Sequence, residues 1–319
     1  MKSLHEATVC TVSYRNAPYI DLNREFTAHL NSEPQRLQWI VAENTPDGGD
    51  TLYHDARFQV IPGVPPQPLV TYHHAMALNR ALQQSGTRFV VILDPDFYVV
   101  YPEWVDAVID HMLSQDISFL GSTWNPRYSS KYRYFPTVHF FVADTNKIPV
   151  AELDFRPIIP NAPVDKFAVE PSLSRDILAR TRLLKYLLHT PLRSRVRFHT
   201  DTGGRLYYGL AGSNKYRFEC LTPVYPTDND FRTTATWRAK LAEAILPDLL
   251  CFSPKRKATF RRKGFEEDGL LRAVSPHWDQ FYWNDKPFGF HVRRNAGKQC
   301  RDAVSELSAL RQQLHALSA

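Results

Sequence analysis

Asp94 and Asp96 flank Pro95 directly after the apolar run Phe89-Val90-Val91-Ile92-Leu93. In an extended chain, residues two apart project to the same side, so the two carboxylates converge. Proline cannot donate to a sheet ladder, and Pro95 therefore marks the point where strand pairing stops and the chain opens into a loop. Two hard oxygen ligands at a strand end suit Mg2+ or Mn2+, cations that keep coordination positions for phosphate oxygens. The competing reading of the triplet is a pair of solvated turn carboxylates, because Asp is favoured in turns in any case.

The elements around this triplet must present it, and the sequence predicts them. Ala7 to Ser13, Leu37 to Glu43, Arg57 to Ile61 and Arg88 to Leu93 are rich in Val, Ile and aromatics and read as buried strands. Tyr19 to Leu30 and Leu69 to Gln84 carry apolar residues at helical spacing, the second stopping near Gly86. Trp104 to Leu113 repeats the helical pattern after Pro102, and Ile117 to Ser122 and Thr137 to Asp144 return as strands. Such alternation predicts an α/β fold with a mostly parallel central sheet flanked by helices. Ligands of open sheets of this class lie beyond the carboxyl ends of the strands, where Glu43, Asn44, Asp94 and Asp96 fall. Further on, Ala151 to Ala168 reads as a long Pro-rich surface loop and Leu173 to Leu188 as a helix. No internal repeat or linker divides the chain. The expectation is one catalytic domain, with residues 1–122 as the nucleotide-sugar half, 123–250 as the acceptor-side half and 251–319 as an extension closing the active site.

Taken in order, five segments resemble the glycosyltransferase family 2 group of GT-A enzymes. Thr11-Val12-Ser13-Tyr14-Arg15-Asn16 resembles that family's first strand and nucleotide loop, and Val41-Ala42-Glu43-Asn44-Thr45 its acidic turn after the second strand. Asn79-Arg80-Ala81-Leu82 is similar to the helix preceding the family's metal motif, Asp94-Pro95-Asp96 stands where that motif falls, and Pro102-Glu103-Trp104 resembles the next helix start. The resemblance implies a GT-A, Rossmann-like fold. It implies that Thr11, Ser13, Glu43 and Asn44 hold the base and ribose of a nucleotide while Asp94 and Asp96 hold a metal on its diphosphate. Glu43 departs from the family's commoner Asp, which lengthens the carboxylate's reach and leaves the base open. Ordinary strand-end capping is the competing reading for these four residues.

Two later segments extend the resemblance. His199-Thr200-Asp201-Thr202-Gly203-Gly204-Arg205-Leu206 resembles the family's Glu-Asp motif with Thr200 in place of the glutamate, which makes Asp201 the candidate catalytic base. An N-cap on a helix starting near Thr202 is its alternative role. Pro287-Phe288-Gly289-Phe290-His291-Val292-Arg293-Arg294 resembles the segment in which GT-A enzymes carry a late metal-binding histidine, so His291 is the candidate third ligand. Its alternative is a packed structural histidine. Arg293 could neutralise the donor diphosphate, since guanidinium binds phosphate oxygens bidentately. His73 and His74 are adjacent and point apart on a helix, so they do not share a metal and stay unassigned.

Composition sets outer bounds. With 319 residues, 43% of them hydrophobic, the chain can bury a large core, and global disorder is excluded. A net charge of +6 favours anionic partners without choosing among them. The four cysteines are far apart and form no CxxC pair, so spacing suggests neither a zinc site nor a disulfide framework. With no long apolar segment near the N-terminus, the sequence predicts a cytoplasmic protein, peripheral at the inner face of a membrane at most. The cluster Lys255, Arg256, Lys257, Arg261, Arg262 and Lys263 reads as a solvated basic loop, with docking on anionic lipid as its alternative.

The expected activity is therefore metal-dependent, inverting transfer of a sugar from a UDP- or GDP-linked donor to a saccharide or lipid-linked acceptor, in surface polysaccharide or glycolipid assembly. No nucleic-acid partner is expected. Two readings compete with it. A sugar-phosphate nucleotidyltransferase lacks support from a Gly-rich phosphate loop, as neither GxGxxG nor GxxxxGK[ST] occurs. A catalytically inactive nucleotide-binding protein of GT-A type would account for Thr200 and Glu43 standing where the family's acidic residues differ.

Overall fold

The computed structural model describes residues 6–46, 55–67, 69–125, 135–157, 201–211, 213–224, 261, 263–265, 278–292 and 303–317. Its main sheet has seven strands in the order β3-β2-β1-β4-β7-β6-β8. These are β1 (Ala7–Ser13), β2 (Leu37–Glu43), β3 (Gln59–Pro62), β4 (Phe89–Leu93), β6 (Phe119–Gly121), β7 (Phe140–Asp144) and β8 (Phe218–Cys220). β7 runs against both neighbours, and every other pairing is parallel. The fold is thus α/β with a mostly parallel central sheet, as the alternating pattern predicts. β7 lies within the strand expected over Thr137 to Asp144, but its antiparallel direction was not legible, because both strand directions give a similar buried apolar run.

Helices cover both faces. Along β1, Val9 faces one side, where it packs with Val41, Val91, α1 (Ala17–Leu30) and α3 (Trp104–Ser114). Cys10 and Val12 face the other, against α2 (Val70–Gln83) and α4 (Gly204–Leu210). Burial of this kind, at roughly 25 cal/mol per Å² of apolar surface, is what holds the layers together. At the amino end of β4, Arg88 donates to both carboxylate oxygens of the buried Asp144, at 2.9 and 2.7 Å. This bidentate pair pins the β4–β7 register, Phe89 opposite Asp144 and Leu93 opposite Phe140.

A second, antiparallel sheet has the order β5-β11-β10-β9, built from β5 (Phe97–Val99), β9 (Thr222–Pro223), β10 (Asp279–Trp283) and β11 (Lys286–His291). One of its faces contributes Phe97, Phe281 and Phe288 to the core shared with the main sheet. The other packs Tyr98, Tyr282 and Phe290 against α1 and against Leu310 and Leu314 of α5 (Ala303–Leu317). Gly289 lies opposite Val99 in this sheet. A Cβ at Gly289 would sit 2.7 Å from the Tyr98 carbonyl oxygen and 2.9 Å from the Phe97 ring. Gly289→Ala is therefore expected to destabilise the fold by about 1–3 kcal/mol through overpacking, read as a lower midpoint in urea. An unchanged midpoint would mean that β5 and β11 do not approach this closely.

Candidate metal and transfer site

Asp94 directly follows β4, and the next residues fold into a turn in which the Phe97 amide donates to the Asp94 carbonyl at 3.0 Å. The chain then leaves the main sheet and enters the second one as β5. Asn23, on the buried face of α1, donates through Nδ2 to the carbonyl of Phe97 at 2.7 Å, with Asp94 O at 3.4 Å and Pro95 O at 3.5 Å. One carboxamide thus fixes the turn that carries both aspartates. Asn23 escaped the reading of the sequence. Its signal was present, though, as a polar residue on the α1 stripe of Ile20, Phe26 and Leu30.

Two histidines reach the turn, one directly before β7 and one at the end of β11. The β4–β7 register continues past Phe140, so that the Asp94 amide donates to the His139 carbonyl at 3.0 Å and His139 Nε2 lies 4.0 Å from Asp94 Oδ2. In the second sheet, His291 pairs with Phe97 across β11 and β5, and the Val292 amide donates to the Asp96 carbonyl at 2.9 Å. His291 Nε2 stands 3.1 Å from Asp96 Oδ1, and its Nδ1 3.9 Å from Oδ2 of the buried Asp279. The His139 and His291 rings stack 4.2 Å apart at 26°. One ligand atom from each of Asp94, His139 and His291 falls within 4.8 Å of the other two, close to the spacing a small divalent cation needs. The structure thus brings Asp94, Asp96 and His291 together, and adds His139, which nothing local in the sequence pairs with Asp94.

His73 and His74 diverge, as neighbours on a helix must. His73 Nε2 contacts the Val64 carbonyl at 2.9 Å, while His74 Nε2 lies 3.8 Å from Asp94 Oδ1. Burial pushes the His74 imidazole down to about 4, against the carboxylates of Asp96 and Asp201, which pull it upward. Asp201 therefore lies within electrostatic reach of this cluster. Its loop is fastened at three points: Thr202 Oγ1 to the Thr71 carbonyl at 3.2 Å, the Gly203 amide to Phe155 O at 2.6 Å, and the Arg205 amide to Arg156 O at 3.0 Å. Arg205 and Asn79 both bond Asp154, tying α4 to α2. The helix begins at Gly204, with Gly203 at the N-cap and no side-chain cap hydrogen bond, instead of near Thr202. Thr200 lies outside the described residues.

At the ends of β1 and β2, Ser13 stands opposite Glu43. Thr11, Ser13, Glu43 and Asn44 are all buried. Thr11 Oγ1, Ser13 Oγ and Glu43 Oε2 have no hydrogen-bond partner among the described residues, and each such buried group costs about 1–3 kcal/mol. Glu43 Oε1 accepts from the Thr45 amide at 2.7 Å. Asn44 instead joins scaffold elements, accepting from the Val64 amide at 2.9 Å and donating to the His73 carbonyl at 3.3 Å. Arg293, the expected helix Leu173 to Leu188, and Lys255, Arg256, Lys257 and Arg262 of the basic cluster lie outside the described residues. Arg261 of that cluster pairs with Asp285 at 3.1 Å and covers the Tyr282 ring at 4.0 Å.

Solved structures that match just under half of this chain were found. A mannosyltransferase from Pyrobaculum calidifontis in complex with GDP-Man and Mn2+ is 15% identical, with 46% of each chain covered and a TM-score of 0.36. S. aureus TarS 1–349 is 13% identical over 47% of this chain and 50% of its own, with a TM-score of 0.35. Glucosyl-3-phosphoglycerate synthase from Mycobacterium tuberculosis, in complex with phosphoglyceric acid, is 15% identical over 48% of this chain and 60% of its own, with a TM-score of 0.35. The chain spans about half the length of these structures. No protein-family model matches the sequence, and no curated protein matches it.

Two expectations follow from the geometry. Asn23→Leu removes the donor and leaves the Phe97 carbonyl unsatisfied, which should lower stability by about 1–3 kcal/mol in chemical denaturation and weaken Mn2+ binding measured by calorimetry. Wild-type Mn2+ affinity in that variant would show that the turn holds its shape without Asn23. For His74, a folded-state value below the ordinary one near 6.5 means that the neutral form stabilises the protein above that pH. That contribution should fade as pH falls from about 6.5 to 4, and His74→Gln should flatten this part of a Tm-against-pH curve. Parallel curves for the two proteins would remove His74 from the account.

Proposed function

We propose that this chain is a metal-dependent enzyme transferring a sugar from a nucleoside-diphosphate donor to an acceptor hydroxyl, with inversion at the anomeric carbon. The observation that carries this reading is the meeting of Asp94, Asp96, His139 and His291 at the carboxyl end of β4, with Asp201 within electrostatic reach. The orphaned polar atoms of Thr11, Ser13 and Glu43 at the neighbouring strand ends support a polar guest there, the base and ribose of a UDP- or GDP-linked sugar. A divalent cation, Mn2+ or Mg2+, held by Asp94, Asp96 and His291 would neutralise charge on the departing diphosphate.

In this reading Asp201 accepts the proton of the acceptor hydroxyl as its oxygen attacks the anomeric carbon. The bond from that carbon to the diphosphate oxygen breaks, and the nucleoside diphosphate leaves with the electron pair. Arg293, next along the chain from Val292, adds a second positive charge near the leaving group. The acceptor is a saccharide or lipid-linked sugar met by residues 123–250, within one catalytic domain whose residues 1–122 hold the donor and 251–319 close over it. The site of action is the cytoplasm or the inner face of its membrane, with surface polysaccharide or glycolipid as the product. No helix of the described residues is long and apolar enough to cross a membrane.

The test has a binding arm and a chemical arm. UDP or GDP should raise Tm more with Mn2+ than without it, since specific ligands stabilise by mass action. Asp201→Asn should keep that shift while losing transfer by on the order of a hundredfold or more, the scale of general-base loss. Full transfer in Asp201→Asn, or a product that retains the donor's anomeric configuration, would rule out this role for Asp201.

A further inference from the structure

The residue that the reading of the sequence left out, His139, changes the chemistry expected of the site. We infer that Asp94, His139 and His291 form a two-imidazole, one-carboxylate seat that selects a first-row transition cation over Mg2+, with Thr137 and Ser122 setting the His139 tautomer. The inference deepens the transferase reading, since the same cation would lie on the donor diphosphate.

The ligand set decides the class of metal. Mg2+ takes oxygen ligands and water, whereas imidazole suits borderline cations such as Zn2+, Co2+ and Fe2+. Asp94 and Asp96 alone would be an oxygen site. His139 and His291 stack over the same turn and put two ring nitrogens beside one carboxylate. Both rings are buried, so water does not compete freely for this position.

A ligand imidazole needs its second nitrogen held, because that contact fixes which nitrogen carries the lone pair. His139 Nδ1 lies 3.1 Å from Thr137 Oγ1, and Thr137 Oγ1 lies 3.0 Å from Ser122 Oγ. Ser122 Oγ lies 3.5 Å from the Phe140 carbonyl and accepts from the Phe140 amide at 3.2 Å. One direction satisfies every contact: His139 Nδ1–H donates to Thr137, Thr137 donates to Ser122, and Ser122 donates to the Phe140 carbonyl. That direction puts the lone pair on Nε2, the nitrogen 4.0 Å from Asp94. Trp124 closes the edge of the ring at 4.6 Å and 82°. His291 places Nε2 3.1 Å from Asp96 Oδ1 and Nδ1 3.9 Å from Oδ2 of the buried Asp279.

The experiment uses the full chain stripped with chelator and no nucleotide. Co2+ is titrated by its visible absorption, and Mn2+ and Mg2+ by calorimetry. Expected are Co2+ bands of a nitrogen-ligated centre, and Co2+ affinity at least about tenfold above that for Mg2+. His139→Ala should weaken Co2+ binding by on the order of a hundredfold, and Thr137→Val, which keeps the ligand and removes its support, by about tenfold or more. Should His139→Ala fail to fold, Thr137→Val and the wild-type spectrum still decide. Mg2+ binding as tight as Co2+, or unchanged Co2+ affinity and spectrum in Thr137→Val, overturns the proposal. UDP and GDP are added separately. Nucleotide binding with a Co2+ site indifferent to His139 refutes this inference alone, and a His139-dependent Co2+ site without nucleotide binding refutes the transferase reading alone.

Discussion

The short passage from β4 to β5, residues 94–96, moves the chain out of the mostly parallel main sheet and into an antiparallel one, and the site exists because of it. At the entry of β5, the edge strand of its sheet, the Phe97 carbonyl needs a donor from outside the ladder, because buried carbonyls do not stay unpaired. Asn23 supplies one from α1, a helix that packs on both the main core and the second sheet. The clamp therefore couples three things at once: the position of α1, the exit of β4, and the entry of β5. Because His291 is registered against Phe97 in β11, the late histidine is placed by the same turn.

The inserted strand β7 does the corresponding work on the other side. Its register is fixed at one end by the Arg88–Asp144 pair and read out at the other as His139 beside Asp94. A slip of one residue would turn His139 to the opposite face of the sheet. Beneath the turn, Phe97 stacks on Phe140 at 5.5 Å, and Phe140 meets Phe288 at 4.9 Å, so the two sheets share one aromatic floor. Each such pair contributes about 0.5–1.5 kcal/mol beyond its buried area. His291 on β11 and His139 directly before β7 stand over that floor.

The parts legible in the sequence were those set by local pattern. β1 and β2 run over the residues expected, and α2, α3 and β4 differ by a residue or so at their ends. Asp94 and Asp96 announced themselves by the apolar run before them and by Pro95. What was not legible came from pairing between distant segments. Phe97–Val99 is only three residues of apolar chain, and its role as a strand is conferred by β11, nearly two hundred residues later. His139 read as one more residue in a strand, since its neighbour Asp94 is 45 positions away. Nor could the sequence tell that Asn44 would be occupied in joining Val64 to His73, because that contact depends on how the loop after β3 returns.

Electrostatics connects these placements to function. Asp94, Asp96 and Asp201 act on one small region, and Asp279 lies buried behind His291. Burial keeps His74 in its neutral form at neutral pH, so it brings no compensating charge. Carboxylates gathered in a partly dry region repel one another and lose hydration, a cost that a protein core does not carry without a cation or a proton. The chain as a whole is basic, at +6, and among the described ion pairs Arg88 lies on Asp144 and Arg156 on Asp154. In the proposed reading, a divalent cation would balance the charge of the turn while leaving coordination positions for diphosphate oxygens, and its field would fall on the leaving group. In that reading the acidic turn within a basic chain would be balanced as metal and donor bind together.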